Sequence, residues 1–269
     1  MTKKEAIELL KIPEKTFDNY FKYSKEIKSV KIKNRWNFNK KELEKYINLK
    51  NNRTVDISIE EYEKCLDFGL NMAYNIKNTS GTGIRGVRSK MQTADDFTFG
   101  IIAEIGFQKF LKQKFNIEVN LDLEVHSEKI TPQDIISITE NGIERKSKFN
   151  IAIKSSKLKS CFNVISQLEF EDTKRKSDYY VFIRVNLPDD HIFSFFNERH
   201  KVFKKSKFEK QISKLNEIQV WICGYSIDTD FNKVKEIPGQ KFDNGYRYVV
   251  STANMKNSEK DWENFINKI

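Results

Sequence analysis

Residues 179–185 read Tyr-Tyr-Val-Phe-Ile-Arg-Val, a nearly continuous run of apolar and aromatic side chains. A strand that faces solvent on one side alternates apolar and polar residues, whereas a strand buried on both faces does not. The run therefore predicts a central β-strand that is packed on both sides. Residues 220–225 predict a further strand, and the 21 Phe, 10 Tyr and 3 Trp residues of the chain argue against a disordered protein.

Four other features limit the class of protein. No stretch of about 18 apolar residues occurs, so the sequence predicts no transmembrane helix and no membrane partner. Cys65, Cys161 and Cys223 are odd in number and far apart, which excludes a disulfide framework and a Cys-x-x-Cys zinc site. Residues 1–10 lack the apolar segment of a signal peptide, so we expect a cytoplasmic protein. Only three histidines are present, and we expect any chemistry to depend on carboxylates and lysines.

The net charge of +10 is concentrated at the N-terminus. Residues 1–50 contain fourteen Lys or Arg and seven Asp or Glu, and therefore account for +7 of the total. A basic segment of this kind favours a polyanionic partner. A lysine-rich surface that only faces water is the simpler alternative.

The same fifty residues predict a helix, a tight turn, a second helix, a two-stranded hairpin and a third helix. Thr2 and Glu5 match a capping box at the start of the first helix, and Pro13 is well placed to begin the second. Alternation of apolar and polar residues over residues 30–38 predicts the hairpin. This order predicts a winged helix-turn-helix domain over residues 1–50.

The stretch EAIELLKIPEKTFDNYFK…VKIKNRWNFNKKELEKYI, within about residues 2–49, resembles the excisionase/MerR-like DNA-binding family. The resemblance implies that the helix from Pro13 to Tyr23 enters the major groove, while the wing from Lys31 to Arg35 touches the DNA backbone. Polar side chains of the helix could read base edges, and basic ones could neutralise phosphates. The DNA-binding residues predicted in this domain are Lys15, Thr16, Asn19, Lys22, Lys31, Lys33 and Arg35.

Residues 51–90 are predicted to form a helical linker that ends in a glycine-rich loop. The loop contains three glycines together with Arg85 and Arg88, so its backbone and its charges could approach phosphates. It is not a P-loop, because the Gly-Lys-Ser/Thr ending and the preceding strand are missing. A DNA-clamping loop and a plain domain linker both remain open.

The following part of the chain is predicted to bring a carboxylate and a lysine together. An amphipathic helix over residues 99–115 carries Glu104; Asp134 begins one strand and Lys154 lies on the next, expected to be its hairpin partner. A carboxylate can hold a divalent cation and a lysine can orient or deprotonate an attacking water, which suits metal-assisted phosphodiester hydrolysis. Only hard oxygen ligands are available, which favours Mg²⁺.

The pieces GIIAEIGFQKFL, TPQDIISI, FNIAIKSSK and KSDYYVFIRVNLPDD resemble the PD-(D/E)XK nuclease superfamily, especially type II restriction endonucleases. The resemblance covers about residues 91–235, and we assign residues 91–269 to a nuclease-like α/β domain with a mixed central sheet flanked by helices. It implies duplex DNA as substrate, a homodimer if the DNA site is palindromic, and Mg²⁺ as cofactor. The implied site consists of Asp134 and Glu104 at the metal and Lys154 as the catalytic lysine. Lys157 is either solvated or in contact with a DNA phosphate.

One position departs from the motif of this superfamily. The residue two before the lysine is normally Glu or Asp, but here it is Ala152. Three explanations remain open. Ala152 replaces an original glutamate; or the second carboxylate has moved to the following helix, where Glu169 and Glu171 are the candidates; or the domain binds DNA without cutting it.

The sequence therefore predicts a sequence-specific, Mg²⁺-dependent endonuclease of duplex DNA. One alternative is a non-catalytic DNA-binding regulator on a degraded nuclease fold, which Ala152 favours. Another is a methylation-dependent restriction endonuclease, in which Trp36 or Tyr23 would contribute to a pocket for the modified base.

Overall fold

A computed structural model of the chain describes residues 1–33, 35–75, 89–123, 134–140, 142–201, 209–215, 218–242 and 245–269. The first elements are α1 (Lys3–Leu10), α2 (Glu14–Thr16), a π-helical segment (Phe17–Phe21), α3 (Lys22–Ser24), β1 (Ser29–Ile32), β2 (Arg35–Phe38) and α4 (Lys40–Asn51). They are followed by β3 (Thr54–Ile57), α5 (Ile59–Asn75), α6 (Lys90–Phe115), β4 (Glu118–Leu121), β5 (Ile135–Glu140), β6 (Ile143–Arg145) and β7 (Ile151–Lys157). The last are β8 (Phe162–Ser166), α7 (Gln167–Glu171), β9 (Tyr179–Asn186), α8 (His191–His200), β10 (Ile218–Ser226), β11 (Asn232–Val234), β12 (Glu236–Ile237), β13 (Gln240–Lys241), β14 (Arg247–Ser251) and α9 (Glu259–Lys268).

The predicted central strand is confirmed as β9. It lies inside a four-stranded mixed sheet of order β3-β10-β9-β7, in which β7 runs parallel to β9 and the other pairs are antiparallel. All residues of β9 except Asn186 are buried. This burial explains why the strand shows no alternation in the sequence.

Both faces of the central sheet are covered, each by a different layer. On one face, side chains of β7, β9 and β10 pack with α5, α6 and α9 in the largest apolar cluster. Helix α6 approaches closely because Gly106 has no side chain, and a Cβ there would lie 2.4 Å from Cγ1 of Val220. The other face packs against residues of β8 and β14, which belong to a three-stranded sheet of order β11-β14-β8. The fold is therefore mixed α/β with a mixed central sheet flanked by helices, as predicted.

The order of elements predicted for residues 1–50 is confirmed. Two helical stretches precede the antiparallel pair β1–β2 and the closing helix α4. Thr2 and Glu5 form the predicted capping box, and Asn39 caps α4. Asn34, in the predicted turn of the hairpin, lies outside the described residues.

Residues 51–75 do more than link two domains. The sequence predicts a helical linker here, but Thr54–Ile57 form β3, an edge strand of the central sheet that pairs with β10. Helix α5 then buries Tyr62 and Leu66 in the main core. The strand has only four residues, two of them buried, and its alternation of apolar and polar residues is therefore too short to be recognised in the sequence.

The N-terminal region shares a hydrophobic core with the rest of the chain. Phe17, Phe21 and Leu43 pack in one cluster with Phe162 of β8 and Val249 of β14. A cluster that draws on both parts of the chain fixes their relative position, since these side chains cannot be separated without exposing apolar surface. Residues 1–50 are thus not an independent unit attached by a flexible connection.

A buried ion pair joins the same two regions. Arg184 of β9 is fully buried, and its Nη2 lies 3.0 Å from Oε2 of Glu26, whose side chain is only 5% exposed. The same Nη2 donates to Oγ1 of Thr252 at 3.0 Å, and Nε donates to the carbonyl oxygen of Ser160. The guanidinium also stacks over Trp221, with its carbon 4.4 Å from the ring centroid.

Within the described residues, no helix is both long and apolar enough to cross a membrane.

We predict that Glu26→Gln lowers the free energy of unfolding by about 3–5 kcal/mol, because Arg184 would keep its charge in a buried site without a counter-ion. Chemical denaturation of the full chain measures this. Glu42→Gln is the matched control: Glu42 pairs with the exposed Lys28 at 3.8 Å, and its loss should cost about 1 kcal/mol or less. Equal effects of the two substitutions would contradict the anchoring role of Glu26.

Candidate functional site

Asp134 lies where the chain enters β5, next to β7. Its backbone N–H donates to the carbonyl oxygen of Ile151 at 3.4 Å, and its Oδ2 accepts from the N–H of Ile153 at 2.5 Å. These bonds hold the carboxylate beside the strand that carries Lys154, so the predicted neighbourhood of the two residues is present. Their strands are not hairpin partners, however. β5 pairs with β4 and β6 in a separate three-stranded sheet, because the return strand after the turn is the short β6.

Lys154 is paired with one of the two carboxylates considered for the second acidic position. Its Nζ lies 2.6 Å from Oε1 of Glu169, and both side chains are somewhat under one-third exposed. Glu169 stands in the first turn of α7, where its N–H donates to the capping Oγ of Ser166 at 3.2 Å. Burial disfavours the charged ammonium, but Glu169 and Asp134 outweigh this effect and raise the pKa of Lys154.

Glu171, the other candidate, faces away from this lysine. Its Oε1 accepts from Lys233 Nζ at 2.6 Å and from Tyr248 Oη at 2.7 Å, and its Oε2 accepts from Gln167 Nε2 at 2.8 Å. These hydrogen bonds, the one from Lys233 foremost, lower the pKa of Glu171 to about 2. Glu171 thus forms an ion pair with Lys233 at the surface.

Glu104 projects from α6 toward the same cluster. Burial raises the pKa of Glu104 well above its ordinary value, and the neighbouring Asp134 raises it further, against the opposing charge of Lys154. Burial likewise raises the pKa of Asp134, and the attraction of Lys154 only partly offsets this. Both carboxylates therefore lie in a site with more negative charge than its one lysine can balance.

Asp122, which the sequence pattern does not mark as a site residue, also belongs to this site. Its charge raises the pKa of both Glu104 and Asp134, and its backbone N–H donates to the carbonyl oxygen of Asp134 at 3.3 Å. Asp122 directly follows β4, and the pairing of β4 with β5 brings it to the start of β5. In the sequence Asp122 is one of the polar residues that alternate with apolar ones over residues 117–125, and no motif singles it out.

Ala152 lies two residues before Lys154 and on the same face of β7, but its surroundings are apolar. It is 4% exposed and packs with Ile165, Phe170 and Tyr180. A glutamate at this position would need to place its carboxylate in or beside that cluster, where it would be costly to desolvate. The carboxylate that contacts Lys154 is that of Glu169, while residue 152 contributes none.

Asp134 and Asp122 raise the pKa of Glu104, and Asp122 raises that of Asp134, but this alone does not make the three residues the ligands of a metal ion. In the described part of the chain, no three His, Cys, Asp or Glu side chains are gathered so as to hold a metal ion. Any cation at this site would therefore depend on one or two carboxylates, with water or substrate as its further ligands.

The predicted DNA-binding residues of the N-terminal region are at its surface. Lys15, Lys31, Lys33 and Arg35 are exposed, and Thr16, Asn19 and Lys22 are partly exposed. Asp18, Asn19 and Lys22 line one side of an open groove of about 990 Å³, and the hairpin β12–β13 lines the other. Gly239 in that hairpin faces Asn19: a Cβ added to the glycine would lie 3.6 Å from the Cβ of Asn19, an ordinary contact distance. Nothing in the sequence pattern indicated that this hairpin lies opposite the helix.

The remaining predicted contacts lie elsewhere. Lys157, at the end of β7, forms an ion pair with Asp189. Arg85 and Arg88 lie outside the described residues.

Comparisons with models of protein families, with curated proteins and with solved structures find no match to this chain.

We predict that Glu104→Gln raises the free energy of unfolding at pH 7–8 by on the order of 1 kcal/mol, measured without added divalent cations. A raised carboxyl pKa means that the folded state binds the proton more tightly than the unfolded state. Stability therefore falls as the pH rises from the ordinary carboxyl value, 4.5, through the raised one. The substitution should flatten this decline.

The matched control for this prediction is Glu44→Gln, because Glu44 on α4 has a side chain that is 50% exposed. Its pH profile should follow that of the parent chain. A Glu104→Gln variant that is less stable than the parent at pH 8 would show that the carboxylate is well satisfied and would contradict the prediction.

Proposed function

We propose that this chain is a Mg²⁺-dependent endonuclease of duplex DNA, with a site related to that of PD-(D/E)XK nucleases. The observation that carries the proposal is the cluster around Lys154. Glu169 pairs with the lysine, and no further positive charge in the cluster balances Asp134 and Glu104, whose pKa values are raised. Strongly perturbed ionisable groups in one place are typical of catalytic sites, since folding stability alone does not favour them.

The oxygen donors present suit Mg²⁺. This ion is commonly bound by one or two carboxylates and completes its octahedral shell with water and substrate phosphate oxygens. Asp134 and Glu104 would hold it as a pair, since no group of three possible ligands occurs among the described residues. When bound, the ion would neutralise charge on the scissile phosphate and lower the pKa of an attacking water.

The side chains of the cluster then have separate tasks. The N–H of Ile153 orients the carboxylate of Asp134 by donating a hydrogen bond to its Oδ2. Lys154 presents an ammonium that can donate hydrogen bonds to a phosphate oxygen or to the attacking water. Glu169 holds Lys154 in place through its Oε1, and it takes the place of the carboxylate that position 152 lacks as a partner of the lysine, not as a metal ligand.

The basic N-terminal surface supports duplex DNA as the substrate. A helix, a hairpin and a closing helix expose lysines and one arginine on a region that carries most of the net positive charge. We propose a winged helix-turn-helix role for this region, in which the helix at residues 14–24 contacts bases and the hairpin β1–β2 contacts phosphates. A palindromic site would be cut by a homodimer, because two strands require two catalytic sites.

We predict that Glu169→Gln and Lys154→Ala each reduce Mg²⁺-dependent cleavage of plasmid DNA at least about 100-fold, the usual loss when a preorganised charged group is removed. Glu171→Gln should cut at close to the parent rate, because Glu171 is paired with Lys233 and lies apart from Lys154. Unmethylated and methylated plasmids should both be assayed.

Each result of the cleavage assay bears on one interpretation. Loss of cleavage in Glu171→Gln but not in Glu169→Gln would contradict the assignment of the second carboxylate. A parent chain that binds both plasmids and cuts neither would favour the non-catalytic regulator, and cleavage of methylated plasmid alone would favour the methylation-dependent nuclease.

We also predict that the double substitution Lys31→Gln with Arg35→Gln weakens binding to a mixed-sequence duplex and reduces its salt dependence. The slope of log K against log salt concentration should fall by about 0.9 for each phosphate that the variant no longer neutralises. Lys64→Gln with Lys260→Gln is the control with the same change in net charge, at exposed positions on α5 and α9. Equal slopes for the two variants would contradict a DNA contact by the hairpin.

Substitution is preferable to deletion of residues 1–50, because the deletion would expose the apolar core that this region shares with β8 and β14.

A further inference from the structure

A second cavity, of about 400 Å³, shares Lys154 with the proposed catalytic site, and its other lining residues have no part in the proposed cleavage reaction. Its walls come from three parts of the chain: β7 from Lys154 to Lys157, β8 with Asn163, and the N-terminal helical segment with Tyr20. Gln240 of the hairpin β12–β13 contributes to its rim. The cavity is therefore formed jointly by the proposed catalytic part and the proposed DNA-binding part.

Asn163 is the unusual residue in this cavity. It is 1% exposed, and neither its Nδ2 nor its Oδ1 has a hydrogen-bond partner among the described residues. A buried amide without partners is costly, and most buried polar groups in native proteins are satisfied. Asn163 lines the cavity, and a ligand bound there could supply the missing partners of its donor and acceptor after a small shift of the surrounding side chains.

The direction of Asn163 follows from the pairing of β8. Asn163 and Ile165 are two residues apart and share one face of the strand, and Ile165 packs against Ala152 and Tyr180. That face is therefore turned toward β7 and β9. Asn163 accordingly meets the cavity on the side where Lys154 and Phe182 also line it.

The chemistry of the walls suits a nucleotide. A carboxamide offers a donor and an acceptor in the geometry that pairs with the edge of a nucleobase, and Phe162, Phe182 and Tyr20 supply apolar and aromatic surface. Lys159 supplies positive charge for a phosphate, and Lys154 and Lys157, which pair with Glu169 and Asp189, lie beside it. The volume lies within the usual range of small-molecule sites and accommodates one nucleotide.

We propose that this cavity binds a single nucleotide drawn out of the DNA strand, with its base against Asn163 and its phosphate near the lysines. The proposal deepens the proposed endonuclease function and rests on it for the source of the nucleotide. Enzymes that extrude a base read it by hydrogen bonds to its edge and by contact with apolar and aromatic walls, which are the features this cavity offers.

The test is isothermal titration calorimetry of the full chain, without divalent cations, against the four deoxynucleoside 5′-monophosphates and against 2-deoxyribose 5-phosphate. We expect at least one nucleotide to bind at least about tenfold tighter than the base-free sugar phosphate, a difference of about 1.4 kcal/mol. This comparison needs no substitution. Equal binding of all five compounds would overturn the proposal.

The substitution Asn163→Leu tests the role of the amide. It should bring the favoured nucleotide to the affinity of 2-deoxyribose 5-phosphate and leave the base-free compound unchanged, while the melting temperature stays equal or rises. Asn232→Leu, at an exposed position of the same three-stranded sheet, is the matched control and should change neither affinity. Base selectivity that persists in a folded Asn163→Leu variant would overturn the assignment of Asn163.

These measurements separate the two proposals. Nucleotide selectivity in a chain that cuts no DNA would support the cavity and contradict the endonuclease. Cleavage by a chain that binds all five compounds equally would leave the endonuclease supported and overturn the nucleotide cavity.

Discussion

The buried guanidinium of Arg184 is the interaction on which the arrangement of this protein depends. A charge inside a central sheet is tolerated only when partners surround it, and here the partners come from distant parts of the sequence. Glu26 belongs to the N-terminal region, Ser160 to the connection between β7 and β8, and Thr252 to the segment after β14. One side chain in the middle of β9 thereby fixes the layer that covers this face of the sheet.

The candidate site shows the opposite balance of charge. Arg184 has a carboxylate close by, whereas Glu104 and Asp134 share a single lysine with Glu169 and keep raised pKa values. The same low-polarity interior that strengthens the first pair makes the second group unfavourable. Such a local cost is typical of sites that are shaped for a ligand rather than for stability.

Much of the fold was accessible from the sequence, because long patterns survive without tertiary information. The apolar run of β9, the order of N-terminal elements and the proximity of Asp134 to Lys154 are all present. Short or non-local features were not accessible. β3 is too brief for its pattern to be recognised, and Asp122 reaches the site only through the pairing of β4 with β5. Glu169 and Glu171 are two residues apart on one short helix, so only the structure separates their partners.

The core shared by the N-terminal region and the sheet fixes the position of the proposed DNA-binding helix relative to the proposed catalytic lysine. The helix at residues 14–24 and Lys154 belong to parts of the chain joined by packed aromatic residues and a buried ion pair, not by a hinge. On the proposed function, the distance between the helix and the lysine is fixed, so bases held by the helix bring one particular phosphate to the lysine. The spacing between recognition and cleavage is then a property of the fold, set by the same contacts that keep it folded.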